Sequence, residues 1–198
     1  MLNPAALPSK DLTSKICPMD TERARAYMLS LPHVVETMQW GDNLLFWIGD
    51  KAIGGRMFCL MSLGAGEQGV ASFPAGAERF HELVEQDGLV PAPYLARAFW
   101  VAAERWSALR NSEWEELLLA AHAITMAKLP QRTLDALAMP AKQRDKLIAE
   151  GRKKRAEKAE KEKAAKAKRR AAKKAASKER GEAMTDRKAS ARRMKSPS

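Results

Sequence analysis

The stretch HVVETMQWGDNLLFWIGDKAIGGRMFCLMSLGAGEQGVASF, His33 to Phe73, decides the fold class. It holds four apolar-rich runs: Val34 to Trp40, Leu44 to Ile48, Arg56 to Leu63 and Val70 to Phe73. Between them lie Gly41-Asp42, the segment Gly49 to Gly55, and the segment Gly64 to Gly69. Short runs bounded by glycine read as strands, and no gap is long enough for a crossover helix. The strands are therefore expected to pair antiparallel, through hairpins.

Working outward, Met19-Asp20 opens a helix with Ala24, Tyr27, Met28 and Leu31 on one face, stopped by Pro32. Pro74 suits the first turn of a helix carrying Phe80, Leu83 and Val84, ended near Gly88. Pro91-Ala92-Pro93-Tyr94 is held extended, because each proline pushes its predecessor out of the helical region. Phe99 to Ala103 reads as one more strand. Ser112 with Glu115 has the spacing of a capping box, opening a helix that turns Trp114, Leu117, Leu118, Ala121 and Ile124 one way and stops before Pro130. The order predicts an α+β domain: an N-terminal helix, an antiparallel sheet of four to five strands, and C-terminal helices covering one face.

Charge divides the chain sharply. Residues 1–140 hold 12 Lys+Arg and 16 Asp+Glu, a net of −4, whereas residues 141–198 hold 23 and 8, a net of +15. All twelve aromatic residues lie between Tyr27 and Trp114, so only the first segment can build a core. Three parts follow: a loose leader at 1–18, an α+β domain at 19–140, and a basic Ala/Lys/Arg-rich tail at 141–198 that is helical or disordered. The leader is expected to be dispensable, or Met19 to be the true start. Within the tail, Glu150–Lys154, Glu157–Lys161 and Glu162–Lys166 have the favourable i,i+4 orientation, and helix is expected over about 142–180.

Several classes fall away. No run of eighteen apolar residues exists to span a bilayer, and the N-terminus lacks the apolar core of a secretory signal. Cys17 and Cys59 are isolated, which suits a reducing compartment, and the expected location is the cytoplasm. Gly64-Ala65-Gly66-Glu67-Gln68-Gly69 spells the dinucleotide fingerprint, but that motif needs a helix directly after it. Val70 to Phe73 reads as a strand, so no cofactor is expected. His33, His81 and His122 are far apart, each without a partner at ligand spacing, so no metal site is expected. Cys59, inside Met57-Phe58-Cys59-Leu60-Met61, reads as a buried small hydrophobe. Glu113, Glu115 and Glu116 sit in the first turn of a helix, where the dipole favours acids. No nucleophile–base or carboxylate pair declares itself, and a non-enzymatic protein is expected. Most of the five tryptophans read as core, with Trp40-Gly41-Asp42 at a turn.

The tail carries the strongest physical signal. Its cations cluster as Arg152-Lys153-Lys154-Arg155, as Lys166-Ala167-Lys168-Arg169-Arg170 and as Lys173-Lys174. Polyanions are the matching partner, bound through phosphate charge and without reading sequence, since the tail has no aromatic side chain to stack on bases. An acidic membrane fits less well, because the helix has no apolar face to insert. In the head, Lys51 and Arg56 on the hairpin, with Arg97, Arg105 and Arg110, are the candidates for a basic patch.

The head also resembles a known family. Ala26-Tyr27-Met28-Leu29-Ser30-Leu31-Pro32, Val35-Glu36, Trp40-Gly41-Asp42, Ile53-Gly54-Gly55-Arg56-Met57-Phe58, Pro91-Ala92-Pro93-Tyr94, Trp100-Val101 and Ala127-Lys128-Leu129-Pro130 follow one another in order. Together they resemble the bacterial MmcQ/YjbR family over about residues 19–133. The resemblance implies a compact α+β fold like that of the bacterial frataxin homologue CyaY, and a DNA-binding role, so DNA is expected ahead of RNA. It carries over no catalytic residues. The first helix offers only Asp20 and Glu22, too few acids to suggest iron. The function expected is sequence-independent DNA binding driven by the tail. The alternative is a ligand- or protein-binding head, with a cleft rimmed by Trp40, Trp47 or Tyr94 and the tail as an electrostatic tether.

Overall fold

The computed structural model describes residues 18–64 and 70–166. The leader, the glycine motif from Ala65 to Gly69 and the tail beyond Lys166 lie outside the described residues. The chain divides into two compact units, Met1–Ile148 and Ala149–Ser198.

The first unit is built on a six-stranded, wholly antiparallel sheet. Its strands are β1 (Val34–Gln39), β2 (Asn43–Ile48), β3 (Arg56–Ser62), β4 (Ala71–Pro74), β5 (Leu89–Pro91) and β6 (Trp100–Ala103), in the spatial order β1-β2-β3-β4-β6-β5. Helices α1 (Thr21–Ser30) and α3 (Asn111–Ala127) pack on one face. The shorter α2 (Gly76–Val84) packs against β5 and β6, and α4 (Gln131–Ala138) follows α3.

Strand alternation decides what meets the helices. Leu44, Phe46 and Ile48 of β2 join Met61, Ala71, Phe73, Val101 and Ala103 in the main core, with Met28, Trp114, Leu118 and Ala121 from the helices. Phe58 and Cys59 are consecutive yet both buried there. A register shift between Phe46 and Trp47 makes this possible, because a bulge turns two neighbours to one face. Burial also pushes the Cys59 thiol pKa up, so this sulfur behaves as the expected hydrophobe. On the opposite face Trp100 and Ala102 form a second cluster with Ala92, against which Met57, Val90 and Leu95 pack.

Helix α1 is capped by Asp20, whose Oδ1 accepts the Arg23 N–H at 2.8 Å. It is tied to β1 by Arg25, which donates twice to Glu36, at 2.6 and 2.7 Å. Trp114 is fully buried against Phe73 and Trp106, its Nε1 donating to the Trp106 carbonyl at 2.9 Å. Of the five tryptophans, Trp47, Trp100 and Trp114 are buried, Trp106 is half-buried and Trp40 is exposed.

The sequence reading is corrected in four places. The sheet has six strands rather than four or five, because β5 is three residues long, ends in proline and shows no alternation. Pro74 ends β4 instead of opening α2, which starts at Gly76. The N-terminus of α3 is secured by Glu113 and not by the Ser112–Glu115 pair: the Glu113 carboxylate accepts the Arg110 N–H at 2.8 Å and a guanidinium N–H of the same arginine at 2.6 Å. Finally, the helix of the basic segment, α5, begins at 141 and is described as far as 166, but the three expected Glu–Lys pairs are not formed. Lys158 instead meets Glu162 at 3.9 Å. Long exposed side chains lose as much rotamer freedom as such a contact returns.

Candidate nucleic-acid interface

The connection between β2 and β3 holds the two basic residues singled out in the head. Asp50 caps a single 3-10 turn, Lys51–Ile53, by accepting the Ala52 N–H at 2.7 Å. Gly54 ends that turn with φ at 92°, where a side chain would be strained. Gly55 is fixed by space: a Cβ there would fall 1.9 Å from the Gly49 carbonyl oxygen. The connection folds back on itself so tightly that only glycine fits.

The loop is then fastened from outside. Thr133, fully buried on α4, donates from Oγ1 to the Ile53 carbonyl at 2.8 Å. The neighbouring Arg132 brings its Nε to 4.0 Å from the position a Cβ on Gly54 would take. Arg132 is thus a third cation at this connection, which sequence reasoning missed. No spacing in the chain announces it, since the contact spans about eighty residues and exists only because α4 docks here.

Lys51 and Arg56 differ in character. Arg56 opens β3 and is exposed. Lys51 is half-buried: its Nζ donates to Gln39 Oε1 at 2.8 Å and sits 4.0 Å above the centroid of the Trp47 ring. Trp47 in turn donates from Nε1 to Thr37 Oγ1 at 2.9 Å. The ammonium is therefore part of a chain of contacts running across the sheet to β1.

The other cations proposed for the head do not gather with these. Arg105 pairs with Asp87, and Arg110 with Glu113 at 2.6 Å. Arg97 is exposed on the segment after β5 and has no ion pair among the described residues. The aromatics named for a cleft are not brought together either. Trp47 is buried, while Trp40 follows β1 and Tyr94 follows β5, the two opposite edges of the sheet.

In the second unit, Arg152, Lys153, Lys154, Arg155 and Lys166 all lie on α5 and are exposed. Lys168, Arg169, Arg170, Lys173 and Lys174 lie outside the described residues. Among the described residues there is no group of three or more His, Cys, Asp or Glu side chains placed to hold a metal ion. No helix among them is long and apolar enough to cross a membrane.

Comparison with known proteins agrees with the architecture. No curated protein matches the chain. A crystal structure of the Deinococcus radiodurans protein DR2400, which carries the DUF419 domain, superposes with a TM-score of 0.50 at 21% identity, covering 60% of this chain and 88% of that one. At that identity the likeness speaks for the fold alone. The YjbR family model matches residues 29–124, from the end of α1 through most of α3. Over residues 29–124, the sequence forms a YjbR family domain.

Proposed function

We propose that this protein is a non-enzymatic nucleic-acid-binding protein, with DNA as the favoured partner. The basic tail supplies most of the affinity by charge and reads no sequence. The exposed Arg56 and Arg132, beside Lys51, give the head a small basic edge that orients it on the strand.

The observation that carries this reading is the segregation of charge: residues 141–198 hold a net of +15 and the rest of the chain −4. A stretch of that density neutralises phosphates and releases their counterions, which makes binding steeply salt-dependent. Supporting it, the cations of the first tail cluster are exposed along α5 rather than folded onto a core. Phosphate contacts of this kind position a protein without specifying bases.

The test is DNA and RNA binding across a salt series, comparing the full chain with one ending at Ile148, the limit of the first compact unit. The full chain is expected to lose affinity by about 10³-fold or more between 50 and 200 mM salt. The shortened chain is expected to bind weakly with a shallow salt slope, and Arg56→Glu with Arg132→Glu to remove what remains. Full affinity in the shortened chain would place the binding in the head instead. No binding by either at low salt would end the nucleic-acid reading.

A further inference from the structure

Four non-glycine residues among those described have left-handed backbones: His33 (φ 62°), Trp40 (φ 58°), Tyr94 (φ 63°) and Phe99 (φ 59°). For bulky side chains that region is strained, and the strain persists only where something holds it. The fold accounts for three of them. The His33 carbonyl accepts the Gly49 N–H at 2.8 Å. Trp40 and Gly41 are successive left-handed residues in the β1–β2 turn, and the Trp40 carbonyl accepts from Asn43 Nδ2 at 2.8 Å. The Phe99 ring meets Phe80 edge-on at 5.8 Å, and its carbonyl accepts the Ala75 N–H at 2.9 Å.

Tyr94 is the exception. It is 96% exposed, and among the described residues its side chain makes no hydrogen bond or ring contact. The turn itself has a use, because it lets the Leu95 N–H reach the Ala92 carbonyl at 3.1 Å and the Leu95 side chain pack on the cluster of Ala92, Trp100 and Ala102. Glycine or asparagine would make the same turn with less strain. The fold needs the turn, not the ring.

The surroundings say what the ring suits. Its loop is pinned at both ends: the Ala92 N–H donates to the Trp100 carbonyl at 3.0 Å, and the Ala98 N–H to the Leu95 carbonyl at 2.9 Å. With the backbone already fixed, stacking on the ring need order only its two side-chain torsions. From Leu89 to Ala103 the sequence contains no acid and one cation, Arg97, which is exposed and without an ion pair among the described residues. An exposed aromatic face with a guanidinium three residues away, in a segment without acids, matches a nucleotide whose base is unstacked. The ring takes the base and the guanidinium takes the phosphate.

We infer that Tyr94, with Arg97, is a stacking platform for an unpaired base of a single-stranded nucleic acid. The inference rests on the nucleic-acid reading above and adds the state of the strand: the tail holds phosphate of any form, whereas Tyr94 favours strands whose bases are open. In a duplex the bases already stack on one another and leave the ring nothing to cover.

Three probes of equal length separate these roles: oligo(dT), a duplex, and an abasic deoxyribose-phosphate oligomer, each titrated with the full chain at fixed salt. The full chain is expected to bind oligo(dT) about five- to a hundredfold tighter than the abasic oligomer. Tyr94→Ala should abolish that preference and leave abasic and duplex binding unchanged, while Tyr94→Phe should keep it. If wild type and Tyr94→Ala prefer oligo(dT) equally, or neither prefers it, the platform is wrong and tail binding stands. If the full chain binds none of the three at low salt, both readings fall together.

Discussion

The head and α5 are both ordered, for opposite physical reasons. In the head, Phe46, Phe58, Phe73 and Trp114 are fully buried, and order comes from removing apolar surface from water. In α5 the side chains from 152 to 166 are all exposed, and order comes from backbone hydrogen bonds and the helix preference of Ala, Lys, Arg and Glu. One region is held by what it hides, the other by what its backbone favours. The comparison teaches that one chain can hold order of two kinds, and it predicts that beyond Gly151 the stability of α5 is set apart from that of the head. Changes in one should therefore leave the other untouched.

The harshest test of that separation is Trp114→Ala. Emptying a fully buried indole site, with its bond to the Trp106 carbonyl, should cost about 3–5 kcal/mol. Thermal melting followed by near-ultraviolet dichroism should show the head destabilised or unfolded. Salt-dependent binding of polyanions by the tail should survive, and its loss would show that the two regions are coupled. A milder probe is Thr133→Val, which keeps the volume but removes the donor to the Ile53 carbonyl. It should cost about 1–2 kcal/mol in urea unfolding and loosen the β2–β3 connection, read as faster amide exchange at Ile53 and Gly54.

On the other side of the comparison, Gly151→Ala should strengthen α5 by up to about 1 kcal/mol. Far-ultraviolet dichroism should report more helix while the melting temperature of the head stays where it was. The smallest expected effect is one of pH and belongs to the first compact unit, Met1–Ile148. Burial, then Arg144, then His122 hold the His33 pKa below its ordinary 6.5. The stabilisation from neutral His33 is thus complete above about pH 6.5 and is lost as pH falls through the lowered folded value. Glu36, held below its usual range by the hydrogen bond from Arg25, adds a second loss further down: its contribution is present above 4.5 and goes as pH falls through its folded value. His33→Asn, which tolerates the left-handed backbone, should flatten the first step and leave the second.

Much of the head was legible because its signals are local. Four of the strands stand where short apolar-rich runs between glycines put them, and Trp114, Leu117, Leu118 and Ala121 are the buried face of α3 as their spacing implies. What escaped depends on contacts distant in sequence or on a choice between equivalent local chemistries. The strand β5 exists because β6 pairs with it, and Arg132 stands beside Gly54 because Thr133 fastens α4 to the β2–β3 connection. At the start of α3, Ser112 and Glu113 both offer caps, and the winner is the glutamate that also holds the Arg110 guanidinium. Tyr94 lies within the Pro91-Ala92-Pro93-Tyr94 stretch, but only its backbone angle and exposure set its ring apart.

The two rims of the sheet have unequal consequences when copies of the protein crowd together. On one side β5 offers three residues, and Pro91 has no N–H with which to bond a further strand. On the other, β1 runs six residues from Val34 to Gln39 without a proline. Among the described residues, β1 offers an incoming strand the longer continuous row of partners. Misassembly that grows by adding strands to this sheet is therefore expected to favour the β1 side. A proline placed at an outward-facing position of β1 would close it.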